Sequence, residues 1–87
     1  MRKNKQADIK IINAAYLSDY KVLVLFSNNR MKIVDFAKAI AEYAIGECAI
    51  FANKTAFKKF SIENGNIVWG KNWDLIFPVI DIFNGSF

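Results

Sequence analysis

At 87 residues, 54% of them apolar, the chain has room for one small domain and carries more apolar surface than a domain of that size readily hides. Its formal charge of +4 reflects 12 Lys and Arg against 8 Asp and Glu, yet Arg2, Lys3 and Lys5 supply three of those cations at the very start. Setting them aside leaves nine cations against eight carboxylates, too even a balance to argue for a nucleic-acid partner from charge alone.

Residues 1–8 read as a flexible basic leader and residues 9–87 as a single α+β domain. Asp8 and Lys10 follow the leader's cations too closely for a secretory signal, and Lys or Asp interrupts every apolar run short of membrane-spanning length. A soluble cytoplasmic protein without a membrane partner is the expectation, and the single Cys48, which cannot form an internal disulfide, fits a reducing compartment.

The segment from Ile9 to Ala15 predicts a first strand, Leu17 to Tyr20 a turn, and Lys21 to Phe26 a β-branched, apolar second strand. Ser27 to Arg30 predicts a second turn, and Met31 to Asp35 a third strand, completing an antiparallel meander. With Asn28-Asn29 as a two-residue loop, Phe26 faces Met31 and Val24 faces Ile33 on one side of the sheet. Leu25 then faces Lys32 and Leu23 faces Val34 on the other. The second strand is apolar on both faces and calls for a covering layer on each.

One such layer is a helix over Phe36 to Ile45, with Asp35 as N-cap and Gly46 as its stop. Phe36, Ile40, Tyr43 and Ala44 form its buried stripe, Lys38 and Glu42 its wet side, and Ala37 and Ala41 are small enough for close packing on the sheet. One or two irregular helical turns follow around Ala49 to Phe57. Asn64-Gly65, between two apolar-rich runs, then predicts a tight hairpin that pairs Glu63 with Asn66, Ile62 with Ile67, Ser61 with Val68 and Phe60 with Trp69. Phe60, Ile62, Ile67 and Trp69 should share one buried face, with Lys59, Ser61, Glu63 and Asn66 on the other. Ile76 to Phe83, with Pro78 near its start, ends the chain as a short helix or an extended arm.

Candidate chemistry is sparse. The absence of histidine removes the usual general base at neutral pH and the commonest metal ligand. Cys48 has no adjacent cation to lower its pKa and reads as a structural thiol. Asp19, Asp35, Asp74 and Asp81 have ordinary roles in turns, caps and loops, and the four glycines are too scattered to cradle a phosphate. The expectation is a protein that is not an enzyme, with no catalytic residue, metal or cofactor. Lys54, Lys58 and Lys59, interleaved with Phe51, Phe57 and Phe60, are the candidates for single-stranded nucleic-acid contact, charge for phosphates and rings for bases. In the loop Gly70 to Asp74, Trp73 is the candidate anchor for a protein partner, flanked by Lys71 and Asp74.

The succession Asp19-Tyr20 before the apolar strand Lys21–Phe26, then Val34-Asp35, then Phe57 through Leu75 with Gly65, Ile67, Trp69 and Asp74-Leu75, resembles the bacterial family catalogued as domain of unknown function 2442. The likeness runs from Ile9 to Phe77. It departs at Asn28-Asn29, where the family often has Asp-Gly, and near the end, where only Pro78 and Phe83 echo the usual Pro and Tyr. The resemblance implies a small α+β fold, no known catalytic residues, and a place beside a second small protein as the antitoxin-like half of a toxin–antitoxin-type pair. Together with the apolar excess, it makes a protein–protein interaction module, as a homodimer or with a cognate partner, the expected function. A small nucleic-acid-binding module is the alternative.

Overall fold

Asp19 and Tyr20 both sit at positive φ, 49° and 67°, and close a two-residue turn between strand β1 (Ile11–Ser18) and strand β2 (Lys21–Phe26). The first strand therefore runs through Leu17 and Ser18, which local composition assigns to the turn. Two irregularities, at Ile12 and Leu17, let β1 advance two residues against one of β2, which bends and twists the strand. The computed structural model describes residues 9–85, so the flexible leader expected over residues 1–8 lies outside the described residues.

Strand β3 (Met31–Asp35) completes an antiparallel sheet in the order β1-β2-β3, but in a register one residue away from the expected one. The connecting loop holds three residues, Ser27 to Asn29, rather than two. Asn29 N–H donates to the Phe26 carbonyl at 3.0 Å, and Asn29 takes φ 67°, absorbing the extra residue as an αL position at the end of a turn. Asn28 Oδ1 accepts from Arg30 N–H at 3.1 Å. Leu25 thus pairs with Met31, Leu23 with Ile33 and Val22 with Val34. A slip of one residue exchanges the two faces of a strand. Met31 and Ile33 consequently leave the Val24–Phe26 side and join Leu23 and Leu25, while Lys32 and Val34 move to the core side. Lys32 reaches across the core edge, its Nζ donating to the Phe83 carbonyl at 2.6 Å and lying 4.0 Å from the centre of the Phe83 ring.

Helix α1 (Ala37–Tyr43) is shorter than expected, ending before Ala44 rather than at Ile45. The Asp35 carboxylate accepts from Ala37 N–H at 2.9 Å, although Phe36 occupies the cap position itself. Phe36, Ala39, Ile40 and Ala44 are the buried stripe. Tyr43 is exposed instead, and so are Ala37 and Ala41, because the face toward the sheet is centred on Ala39 and Ile40. A 3-10 segment (Gly46–Ala52) and helix α2 (Lys54–Phe57) supply the irregular turns. Asn53 Oδ1 caps α2, accepting from Thr55 N–H at 2.8 Å and Ala56 N–H at 3.4 Å.

The second sheet forms as the Asn64-Gly65 signal requires. Both turn residues have positive φ, and strands β4 (Ser61–Glu63) and β5 (Asn66–Trp69) pair Glu63 with Asn66, Ile62 with Ile67 and Ser61 with Val68. Ile67 and Trp69 are buried on one face, whereas Phe60 and Ile62 are only half-buried there. A two-residue strand β6 (Leu75–Ile76) adds to β5, and helix α3 (Val79–Asn84) follows Pro78, so the C-terminal segment is a helix and not an arm. Gly65 also joins the two sheets. Its carbonyl accepts from Ile11 N–H at 2.8 Å, and a Cβ there would stand 2.7 Å from that of Lys10.

Trp69 is the centre of the core. Its ring stacks on Phe57 at 5.3 Å and meets Phe36, Phe77 and Phe60 edge-on at 5.5, 5.8 and 6.1 Å. The indole N–H donates to the buried Phe57 carbonyl at 2.7 Å. Trp69→Ala is expected to cost about 3–5 kcal/mol of folding stability. Trp69→Phe, which keeps a ring but leaves that carbonyl unpaired, should cost about 1–3 kcal/mol. Urea denaturation of the three proteins measures both, and equal midpoints for wild type and Trp69→Ala would contradict the central place given to this ring.

Candidate functional site

The residues offered as functional candidates do not converge on one constellation. Trp73 is half-buried at φ 56°, and its indole N–H donates to Glu63 Oε1 at 2.7 Å. It therefore lies back on the β4–β5 hairpin and is not the free anchor that its loop position suggests. Asp74 is exposed, its carbonyl accepting from Cys48 Sγ at 3.2 Å. Its carboxylate packs where a Cβ on Gly70 (φ 90°) would stand, so this loop depends on glycine at that position. Lys71 is exposed and lines a groove beside the hairpin.

The three lysines proposed for phosphate contact are likewise separated in role. Lys54 Nζ forms an ion pair with Asp19 Oδ1 at 2.8 Å and lies 5.6 Å from the centre of the Tyr20 ring. Lys58 is exposed, while Lys59 lines the same groove as Lys71. That groove, about 1050 Å³ in volume, runs between the polar face of the hairpin and a wall made by the 3-10 segment and α2. Ile50, Phe51 and Ala56 are its apolar lining, and Ser61 and Glu63 belong to its hairpin side. Sequence reasoning picked out the two lysines but missed Ile50, which nothing in the local pattern distinguishes from a core residue. Glu63, expected on the hairpin face opposite Trp69, accepts through its two oxygens from Trp73 and, at 3.0 Å, from Ser61 Oγ.

A second surface follows from the corrected register. Leu23, Leu25, Met31 and Ile33 share the side of the first sheet opposite the core, beside Asn13 and Ala15 of β1. Met31 is 60% and Ile33 64% exposed, while Leu23 and Leu25 are half-buried. A shallow depression of about 100 Å³ lies among Asn13, Ala15, Leu23, Leu25 and Met31. Lys21 pairs with Asp35 at one end, giving this apolar centre a polar rim. Among the described residues no layer covers it.

Among the described residues, no three Cys, Asp or Glu side chains gather as a metal site, and no helix is long and apolar enough to cross a membrane. No family model, curated protein or solved structure matches the chain.

Asp19 and Lys54 shift each other's titration. The hydrogen bond from Lys54, and then its charge, hold the Asp19 carboxyl below its ordinary 3.8. The same contacts hold the Lys54 ammonium above its ordinary 10.5. Stability from the lowered carboxyl is present above its unfolded pKa and lost as pH falls through the folded one. Stability from the raised ammonium is full below its unfolded pKa and lost as pH rises through the folded one. Asp19→Asn should therefore weaken the fold slightly at neutral pH, less so in high salt, and not at all once acid has protonated the carboxylate. Denaturant midpoints in neutral and strongly acidic buffer measure the difference. In a carboxyl NMR titration, Lys54→Ala should return Asp19 toward its ordinary value.

Proposed function

We propose that the chain is a non-enzymatic protein–protein interaction module that self-associates through the outer face of its first sheet. The observation that carries this reading is the row Leu23, Leu25, Met31 and Ile33, apolar, contiguous and uncovered among the described residues. Its centre holds no charge, so nothing in it selects a charged partner. A second copy, related by a two-fold axis, brings a face of the same neutral apolar character. Ile33 is exposed on this face, and a shallow depression lies beside Leu25. Three strands of about five residues present on the order of 250 Å² in plan, from strand spacing and rise. That is small beside the roughly 800 Å² per partner of tight complexes, as in weak, transient association.

Membership of the domain-of-unknown-function family that its motifs resemble, which no family model supports, would make the chain the antitoxin-like member of a pair whose cognate protein competes for this face. The nucleic-acid alternative loses ground, because Lys54 is neutralised by Asp19 and no third cation joins Lys59 and Lys71 in lining the groove.

Sedimentation velocity across the micromolar range should show wild-type mass rising from one chain toward two. Ile33→Lys places a charge on the face at a position already 64% exposed. It should leave the unfolding free energy within about 0.5 kcal/mol of wild type and hold the protein at one chain throughout. A wild-type protein that stays monomeric, or an Ile33→Lys variant that associates as wild type does, would falsify the reading.

A further inference from the structure

The groove beside the second hairpin shares no lining residue with the outer sheet face, and its chemistry is different. Lys59, Ser61 and Glu63 alternate along one strand edge, and Lys71 follows the paired strand, so the two lysines stand together at the open end of the hairpin. Neither forms an ion pair among the described residues, where the Asp19–Lys54 contact is the one salt bridge. Glu63, the anion of the groove, is already engaged by two donors, the Trp73 indole N–H and the Ser61 hydroxyl. Two cations against this one carboxylate, which keeps its charge although hydrogen-bonded, leave the lining net positive, a preference for an acidic visitor. The opposite wall is apolar, with Ile50 62% exposed beside half-buried Phe51 and Ala56.

We infer that this groove binds a short acidic peptide segment of another protein, with an aliphatic or aromatic side chain against Ile50 and Phe51 and carboxylates on Lys59 and Lys71. The volume of about 1050 Å³ lies at the top of the range for small-molecule clefts and accommodates several residues of extended chain. A phosphate backbone suits it less well. Two lysines are a short track compared with the cationic grooves that hold single strands. The half-buried Trp73, fixed on Glu63, provides a built-in optical reporter at the rim.

The test is a titration of 15N-labelled protein with a blocked synthetic peptide of alternating Glu and Leu, and with its Gln-and-Leu counterpart. The acidic peptide should shift the amides of Thr55, Ala56, Ser61 and Lys71 saturably, change Trp73 fluorescence, and leave Leu25 and Ile33 unmoved. Running it on the Ile33→Lys protein keeps this result independent of self-association through the sheet. Reversing both cations, Lys59→Glu with Lys71→Glu, should weaken binding by about tenfold, as two exposed charge contacts warrant. Ile50→Ser, at an exposed position, should weaken it without charge change and decides the matter if the double variant fails to fold. Equal binding of the two peptides, indifference to both variants, or shifts centred away from the groove would overturn the inference. So would an oligothymidylate that shifts the same amides more strongly than the acidic peptide, which would reassign the groove to nucleic acid.

Discussion

The position of the Trp69 indole is the constraint on which the rest of the molecule depends. Its N–H satisfies the carbonyl of Phe57, and its ring is packed by Phe57, Phe36, Phe77 and Phe60. These neighbours come from α2, from the junction of β3 with α1, from the segment after β6, and from the entry to β4. One side chain therefore holds most of the elements to a common centre. The two sheets share no ladder, so their relative placement rests on this cluster and on the backbone bond from Ile11 to Gly65. Aromatic pairs of this geometry contribute about 0.5–1.5 kcal/mol each beyond the area they bury. In so small a domain that sum is comparable to the whole net stability.

The same cluster explains an oddity in the first turn. Tyr20 takes φ 67°, a conformation that costs an ordinary L-residue about 1–2 kcal/mol. A glycine would avoid the cost but would keep only the first of three contacts. The Tyr20 carbonyl accepts from Phe36 N–H at 2.8 Å, its ring meets Phe57 edge-on at 5.1 Å, and its hydroxyl donates to the Ala52 carbonyl. The turn is held by what it reaches in α1, α2 and the 3-10 segment, and local preference plays little part. The neighbouring Asp19 uses the same turn to hold Lys54.

Legibility in the sequence follows the range of the interaction concerned. The Asn64-Gly65 hairpin was readable because turn chemistry and strand alternation both act within ten residues and agree. The β2–β3 register was not, because Asn28 and Asn29 both tolerate the left-handed region, so either a two- or a three-residue loop can be built from them. What selects the observed register acts over a long distance: Lys32 on the core side finds the Phe83 carbonyl and ring, 51 residues away. Tyr43 shows the same limit, since its place in the stripe depends on how α1 sits on the sheet. At the groove, Lys59 and Lys71 were visible as cations. That Ile50 stands across from them, and that Trp73 is taken up by Glu63, depends on how the 3-10 segment and the hairpin pack together.

The uncovered sheet face follows from the lengths of the elements. Strand β2 has six residues and spans about 20 Å, whereas α1 has seven and spans about 10 Å. One helix of that length cannot cover even one side of the meander, and Phe26 is met by Phe83 of α3 at 5.0 Å while Trp69, Phe57 and Phe77 fill around Phe36. All three helices and the second sheet contribute to that single core, with Phe36, Phe57, Trp69, Leu75 and Ile82 among its buried members. No described element remains to lie over Leu23, Leu25, Met31 and Ile33. Replacing those four with polar residues would have made the outer face an ordinary solvated one, as antiparallel sheets commonly have. Their apolar character is the observation on which the proposed self-association rests.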